Sequence, residues 1–315
     1  MTAPLVSILL LTRNGLGTLP AVLSAISAQR VAFPFELVAV DSGSADGTTD
    51  LLRPVVDRFI EIAPSAFNHG STRNLGVAAC RGAFIVLLVQ DAEPDSETWL
   101  ANLVEPLRQD ERLAGTYARQ VPREDASGVA RKYLARYAAS SSSPRVQSVA
   151  GESAWHTLTP TERLNACTFD NVCACLRRDV WVEHPFPAVP IAEDIAWAKT
   201  VLLAGHRLAY TPDAVVRHSH DRSARYELHR TYLVHQQLRR LLDLQLVPSA
   251  HDLARSVAAS MMSHIRWVFG SDRPARAKLG ELPRALATAV TLPLGQYLGA
   301  KSADSGRELL RVRGI

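Results

Sequence analysis

Short apolar-rich runs punctuate the first ninety residues: "LVSILLLT", "FELVAVDSG", "RFIEIAP" and "AFIVLLVQD". Each has the length of a strand. The stretches between and after them, "GTLPAVLSAISAQ", "DGTTDLLRPVVDRF", "GSTRNLGVAACR" and "DSETWLANLVEPLRQ", space their apolar residues as helices do. Strict alternation of apolar strands with helices predicts an α/β fold: a mostly parallel, Rossmann-like sheet with helices on both faces. Ligands of such sheets bind beyond the carboxyl ends of the strands. Polar clusters stand there: Thr12-Arg13-Asn14, Asp41-Ser42-Gly43-Ser44 and Gln90-Asp91-Ala92-Glu93. Neither a GxGxxG turn nor a Walker loop is present, which argues against a dinucleotide or P-loop site.

The pattern then changes. Residues 120–165 are polar and Ser-rich without a clear period, as in "YAASSSSPRVQSVAGESAWHTLTP", and are expected to form a functional lid or mobile segment. "CTFDNVCACLRRDVW" resumes as strand and helix. "IAEDIAWAKTVLLAGHRLAYTPDAVVRHSH" places Glu193-Asp194 at a helix start and ends a strand on His218-Ser219-His220. Beyond residue 225 the signal is helical to the end of the chain, a C-terminal extension over 226–315.

Composition narrows the class. Of 315 residues, 47% are hydrophobic and 21% charged, the balance of a globular protein. No apolar run reaches the roughly 18 residues of a membrane span, and the N-terminus enters a strand without a basic leader, so a cytoplasmic location is expected. The net charge of +4 is uneven: from Tyr226 onward there are 13 Lys/Arg against 7 Asp/Glu. No basic block with interleaved aromatics suggests nucleic acid. A basic, partly amphipathic tail suits peripheral contact with an anionic membrane surface, or is an ordinary solvated helical face. Cys80, Cys167, Cys173 and Cys175 form no CxxC pair and are expected as buried thiols.

Each candidate site has a bland alternative. If the chain stays extended, Asp91 and Glu93 point to one side and suit a hard divalent cation; otherwise they are a loop acid and a helix-start acid. Asp41 and Ser44 either meet a base or ribose or build a turn and cap. In "FNHGSTRNLG", His69 and Arg73 share a helix face and offer donors to an anion, unless Arg73 pairs with a nearby carboxylate. Glu193 and Asp194 either complement a helix dipole or carry proton transfer. His218 and His220 are surface histidines, or one of them completes a metal shell.

Taken in order and at their spacing, "VSILLLTRNG", "VAVDSGSADGT", "FNHGSTRNLG", "LLVQDAEPDSETWL" and "AEDIAWAKTVLLAGHRLAYTPDAVVRHSHDRS" resemble the family-2 inverting glycosyltransferases of the GT-A fold, within them the rhamnosyltransferase-like group. The resemblance covers about residues 4–225. It implies a catalytic domain over 1–225, with a nucleotide-binding half (1–120) and an acceptor-binding and catalytic half (121–225). By the same resemblance Thr12, Arg13, Asn14, Asp41, Ser44, His69, Arg73, Gln90 and Asn171 surround a nucleotide-diphosphate sugar. Asp91 falls at the DxD-like metal position for Mg²⁺ or Mn²⁺, with Glu93 in the second acidic place and His218 where some members add a ligand. Gln90-Asp91-Ala92-Glu93 departs from a true DxD, so either carboxylate can be the direct ligand. Asp194 falls on the catalytic base, with Glu193 supporting it.

The implied reaction is inverting transfer of a sugar, L-rhamnose from dTDP-rhamnose foremost, to a saccharide or lipid-linked acceptor. The alternatives are another UDP- or GDP-sugar, a nucleotide-sugar-binding protein without turnover, and a nucleotidyltransferase. The last normally shows a Gly-rich basic loop after the first strand, which "LTRNGLGTLP" does not match.

Overall fold

The apolar runs fold as strands and the stretches between them as helices. In chain order these are β1 (Val6–Thr12), α1 (Leu19–Ser27), β2 (Phe35–Asp41), α2 (Thr48–Leu52), β3 (Arg58–Glu61), α3 (His69–Ala79), β4 (Phe84–Val89), β5 (Glu93–Pro94), α4 (Trp99–Gln109) and β6 (Leu113–Val121). There follow α5 (Gly128–Leu134), β7 (Arg145–Gln147), α6 (Gly151–Thr157), α7 (Pro160–Ala166), β8 (Cys173–Arg177), α8 (Arg178–Glu183), α9 (Glu193–Leu203) and β9 (Arg207–Arg217). Helices α10 (Ala224–Leu242), α11 (Ala250–Gly270) and α12 (Ala275–Ser305) complete the order. The computed structural model describes residues 3–270, 274–310 and 312, so Asp272, Arg273, Arg311 and Arg313 of the basic tail lie outside the described residues.

Among the described residues nine strands form one sheet in the order β3-β2-β1-β4-β8-β6-β9-β5, with β7 added against β9. The first four in that order run parallel. Val6, Ile8, Leu9 and Leu10 of β1 are fully buried, as expected of a strand covered on both faces. Beyond β4 the sheet is mixed, because β8 enters antiparallel between β4 and β6, and β6–β9 is parallel again. An apolar run such as "CACL" does not encode its direction.

This one reversal assembles the site. β1, β2, β4, β6 and β9 all end at the same edge of the sheet, while β8 begins there, with Cys173 opposite Leu88. Asp170 and Asn171, just before β8, are thereby brought to the rim carrying Thr12, Asp41, Gln90, Gln120 and His218.

Residues 120–165, expected as a functional lid or mobile segment, hold α5, β7, α6 and most of α7. Their buried apolar anchors, Ala126, Ala130, Leu134, Ala139 and Trp155, are too far apart to show a period. All four cysteines are buried thiols, and burial pushes Cys80 and Cys167 up to about 12.

The chain divides into two compact units. One comprises Met1–Val121, Tyr137–Leu158 and Asn165–His218 and contains the sheet; the other comprises Pro122–Arg136, Thr159–Leu164 and Ser219–Ile315. Within the second, α10 and α12 pack closely enough that a Cβ on Gly299 would stand 2.3 Å from the Tyr232 carbonyl oxygen.

Candidate active site

The ends of β1, β2 and β4 are locked by side chains that imitate backbone. Asp41 is fully buried: Oδ1 accepts the Gly43 and Ser44 N–H groups (3.0 and 2.8 Å), and Oδ2 accepts the Thr12 and Ser44 hydroxyls (2.8 and 2.5 Å). Four donors fill the acceptor capacity of a carboxylate. The hydrogen bonds thus describe the turn-and-anchor alternative for Asp41, which shapes the loop a ligand would meet. Ser44 also accepts the Asn14 N–H (2.7 Å), and Asn14 Oδ1 accepts the Ala45 N–H (2.9 Å). Asn14 takes a left-handed backbone (φ 50), a conformation Asn tolerates better than most residues. Gln90 accepts the Arg13 N–H (2.8 Å) and donates to the Arg13 carbonyl (3.0 Å), continuing the pairing of β1 with β4 by one step. Arg13 and Asn14 are exposed on this rim.

The adjacent carboxylates of α9 have different environments. Ala192 enters the helix in the left-handed region (φ 61, ψ 34), a strained geometry for a residue with a Cβ. Glu193 then turns into the protein, 5% exposed, where its Oε1 meets the Arg73 guanidinium at 2.8 Å and accepts from Asn171 Nδ2 at 3.1 Å. Arg73 is brought there by α3, whose cap Asn68 accepts the Gly70 and Ser71 N–H groups. Gly70 is required at this entry, since a Cβ there would sit 2.2 Å from the Pro187 carbonyl oxygen. Burial alone would raise the Glu193 carboxyl, but Arg73, His69 and the Asn171 N–H outweigh it and hold the group below its ordinary value. His69 and Arg73 therefore act on Glu193 in this structure, the paired-carboxylate alternative of the sequence.

Asp194 is half-buried and accepts a hydrogen bond from the following Ile195 N–H (2.8 Å). Burial, then the charges of Glu193 and Asp170, push its carboxyl up to about 8. Two neighbouring acids held apart in this way are the arrangement by which a fold keeps one ionised and poises the other for proton transfer near neutral pH. Asn171 turns its N–H toward Glu193, and its buried Oδ1 has no hydrogen-bond partner among the described residues. A buried orphan acceptor at such a place suits a donor brought by a ligand.

His218 Nε2 and Asp91 Oδ1 are 3.7 Å apart, longer than a hydrogen bond and suited to two ligands of one ion. A donor set of one carboxylate and one imidazole fits Mn²⁺ better than the harder Mg²⁺, which prefers oxygen ligands. Between Asp91 and Glu93 the Ala92 N–H bonds back to the Val89 carbonyl (3.1 Å), a turn that interrupts the alternation expected of an extended segment. Glu93 instead enters β5 opposite Arg217.

Reasoning from sequence missed Gln120, Asp170 and Tyr137. His218 Nδ1 lies 2.9 Å from Gln120 Oε1, Gln120 donates to Asp170, and the Tyr137 hydroxyl donates to the same Asp170 oxygen. The available signal was a buried polar amide next to the end of β6.

The family model "Glycosyl transferase family 2" matches residues 7–178. An O-antigen chain rhamnosyltransferase of Salmonella typhimurium is 36% identical over 233 residues, which is 72% of this chain and 70% of that protein. A second O-antigen chain rhamnosyltransferase, from Salmonella anatum, is 32% identical over 63% of this chain and 61% of its own length. Among solved structures, a mannosyltransferase from Pyrobaculum calidifontis in complex with GDP-Man and Mn²⁺ aligns with a TM-score of 0.58 at 19% identity, over 96% of this chain and 88% of that one. Glucosyl-3-phosphoglycerate synthase from Mycobacterium tuberculosis, with Mn²⁺ and UDP, gives 0.53 at 18% identity over 78% and 82%. These likenesses identify the fold as that of GT-A glycosyltransferases, with added C-terminal helices.

Proposed function

This chain belongs to glycosyl transferase family 2, and from that membership we infer that it transfers a sugar, L-rhamnose from dTDP-rhamnose foremost, with inversion. The observation that carries the reading is the divided acid pair: Glu193 is charged and bound to Arg73, and Asp194 beside it is raised to about 8. In the proposed step Asp194 accepts the proton of the acceptor hydroxyl as that oxygen attacks the anomeric carbon, while the bond from that carbon to the diphosphate breaks. One displacement inverts the centre, and the oxocarbenium character of the transition state resembles that of glycoside hydrolysis. Arg73, Glu193 and Asn171 hold the start of α9 so that the base keeps its place. Asn171 Oδ1 accepts from a sugar hydroxyl in this reading. The rim of exposed Arg13 and Asn14 with half-buried Ser44 faces the nucleotide. A divalent cation held by Asp91 and His218 would offset charge developing on the leaving diphosphate.

The test is turnover by the full chain of dTDP-L-rhamnose against UDP- and GDP-sugars, with a lipid-linked saccharide as acceptor and with Mn²⁺, Mg²⁺ or chelator. Preferred use of dTDP-L-rhamnose, giving a product of inverted configuration and lost on chelation, is the expected result. Preference for a UDP- or GDP-sugar would replace the donor assignment. Retention of configuration would sink the single-displacement mechanism.

The saccharide relatives and the basic tail also favour an acceptor at a lipid surface. Among the described residues no helix is long and apolar enough to cross a membrane. One stripe of α11 instead exposes Arg255, Met262, Arg266 and Phe269, the mixture of cationic and apolar side chains that lies in a lipid interface. The full chain is expected to co-sediment with vesicles containing anionic lipid, and replacing Met262 and Phe269 with Ser should weaken this severalfold. Equal recovery of protein with and without vesicles would exclude the surface.

A further inference from the structure

We propose that Gln120 and Asp170 are positioning residues that fix the tautomer of His218, so that its Nε2 carries the lone pair directed toward Asp91; this rests on the metal-site reading above. Asp170, before β8, is 6% exposed. Its Oδ1 accepts the Val172 N–H (2.9 Å), and its Oδ2 accepts the Tyr137 hydroxyl and Gln120 Nε2. An amide facing such an acceptor must present its NH₂ group, which settles an orientation that otherwise leaves oxygen and nitrogen exchangeable.

With Nε2 on Asp170, Gln120 turns its Oε1 to His218 Nδ1 at 2.9 Å. A carbonyl oxygen only accepts, so Nδ1 carries the proton. In the neutral ring the lone pair is then on Nε2, the atom 3.7 Å from Asp91 Oδ1. The backbone is set as well, since the His218 N–H donates to the Val121 carbonyl (2.9 Å), the residue after Gln120. Gln120 is 3% exposed and His218 7%, so water does not compete freely for either group. A histidine held by a partner on its second nitrogen binds metal more tightly than a loose one, and losing the partner typically costs about tenfold to a hundredfold in affinity.

The experiment uses the full chain with ¹⁵N-labelled histidine and Mn²⁺ alone as probe. NMR reads the tautomer of His218, and electron paramagnetic resonance reads free against bound Mn²⁺. Wild type is expected to show His218 protonated on Nδ1. Gln120→Leu, of similar volume and without the acceptor, should lose that signature and bind Mn²⁺ about tenfold to a hundredfold more weakly. The double variant Gln120→Glu with Asp170→Asn reverses donor and acceptor between the two positions while keeping an oxygen toward Nδ1. It should recover the Nδ1–H signature and most of the affinity, which a purely structural defect would not. The proposal is overturned by a wild-type His218 protonated on Nε2, by Gln120→Leu binding Mn²⁺ like wild type, or by a double variant no better than the single. Wild type that binds no Mn²⁺ would defeat the metal-site reading itself; the tautomer spectrum would then decide the relay alone.

Discussion

Asp194→Asn is expected to lower kcat by between about a hundredfold and ten-thousandfold, the range of a lost general base, while nucleotide binding stays near wild type. The wild-type pH profile should carry the same signature. With the Asp194 carboxyl raised to about 8, the free enzyme holds the base mostly protonated at neutral pH. The ratio kcat/KM should therefore climb with pH along an acid limb centred near 8, standing at about a hundredth of its plateau at pH 6. Stability moves the other way. The folded chain holds this proton more tightly than the unfolded chain, whose Asp has an ordinary value of 3.8. That contribution is fully present below the unfolded value and is lost as pH rises through about 8. Asn does not titrate, so its melting temperature relative to wild type should rise between about pH 4 and pH 8 and then level off. Turnover at the wild-type rate, or a stability difference that does not change with pH, would remove Asp194 from the role of base.

How much of this was legible in the sequence depends on whether a feature is local. β1, β2 and β4 announce themselves because burial on both faces makes them apolar throughout, and the rim residues Thr12, Asp41 and Gln90 follow from where those runs stop. The direction of β8 was not legible, because strand pairing over 80 residues leaves no mark in "CACLR". With that direction hidden, the arrival of Asp170 and Asn171 at the rim was hidden too. Arg73 and Glu193 are 120 positions apart, so the sequence could state only that Arg73 had an anion or a carboxylate to meet. The approach of Asp91 to His218 lies beside the single turn at Val89–Ala92, which breaks a period-two pattern that otherwise looks intact. The resemblance pointed to Asp194 as base; in the proposed mechanism Glu193 takes the Arg73 cation and leaves that role to its neighbour.

Glu193→Gln should therefore do the opposite of Asp194→Asn. The amide oxygen can still accept from Arg73 and Asn171, but Arg73, 6% exposed, is left buried without its counter-charge. Breaking a buried pair on one side costs about 3–5 kcal/mol, so a large fall in the urea midpoint is expected at neutral pH. Removing the Glu193 charge also removes a repulsion that raises Asp194, and the uncompensated Arg73 lowers it further. The acid limb of kcat/KM should then slide to lower pH, leaving the variant less stable yet relatively more active at pH 6 than its own plateau would suggest for wild type. An unchanged midpoint would mean that Glu193 is not the charged partner of Arg73. An acid limb that stays near 8 would mean that the base is not coupled to it. Substitutions one residue apart, one gaining stability and losing turnover and the other losing stability and shifting the pH limb, are what separates a base from the residue that holds it in place.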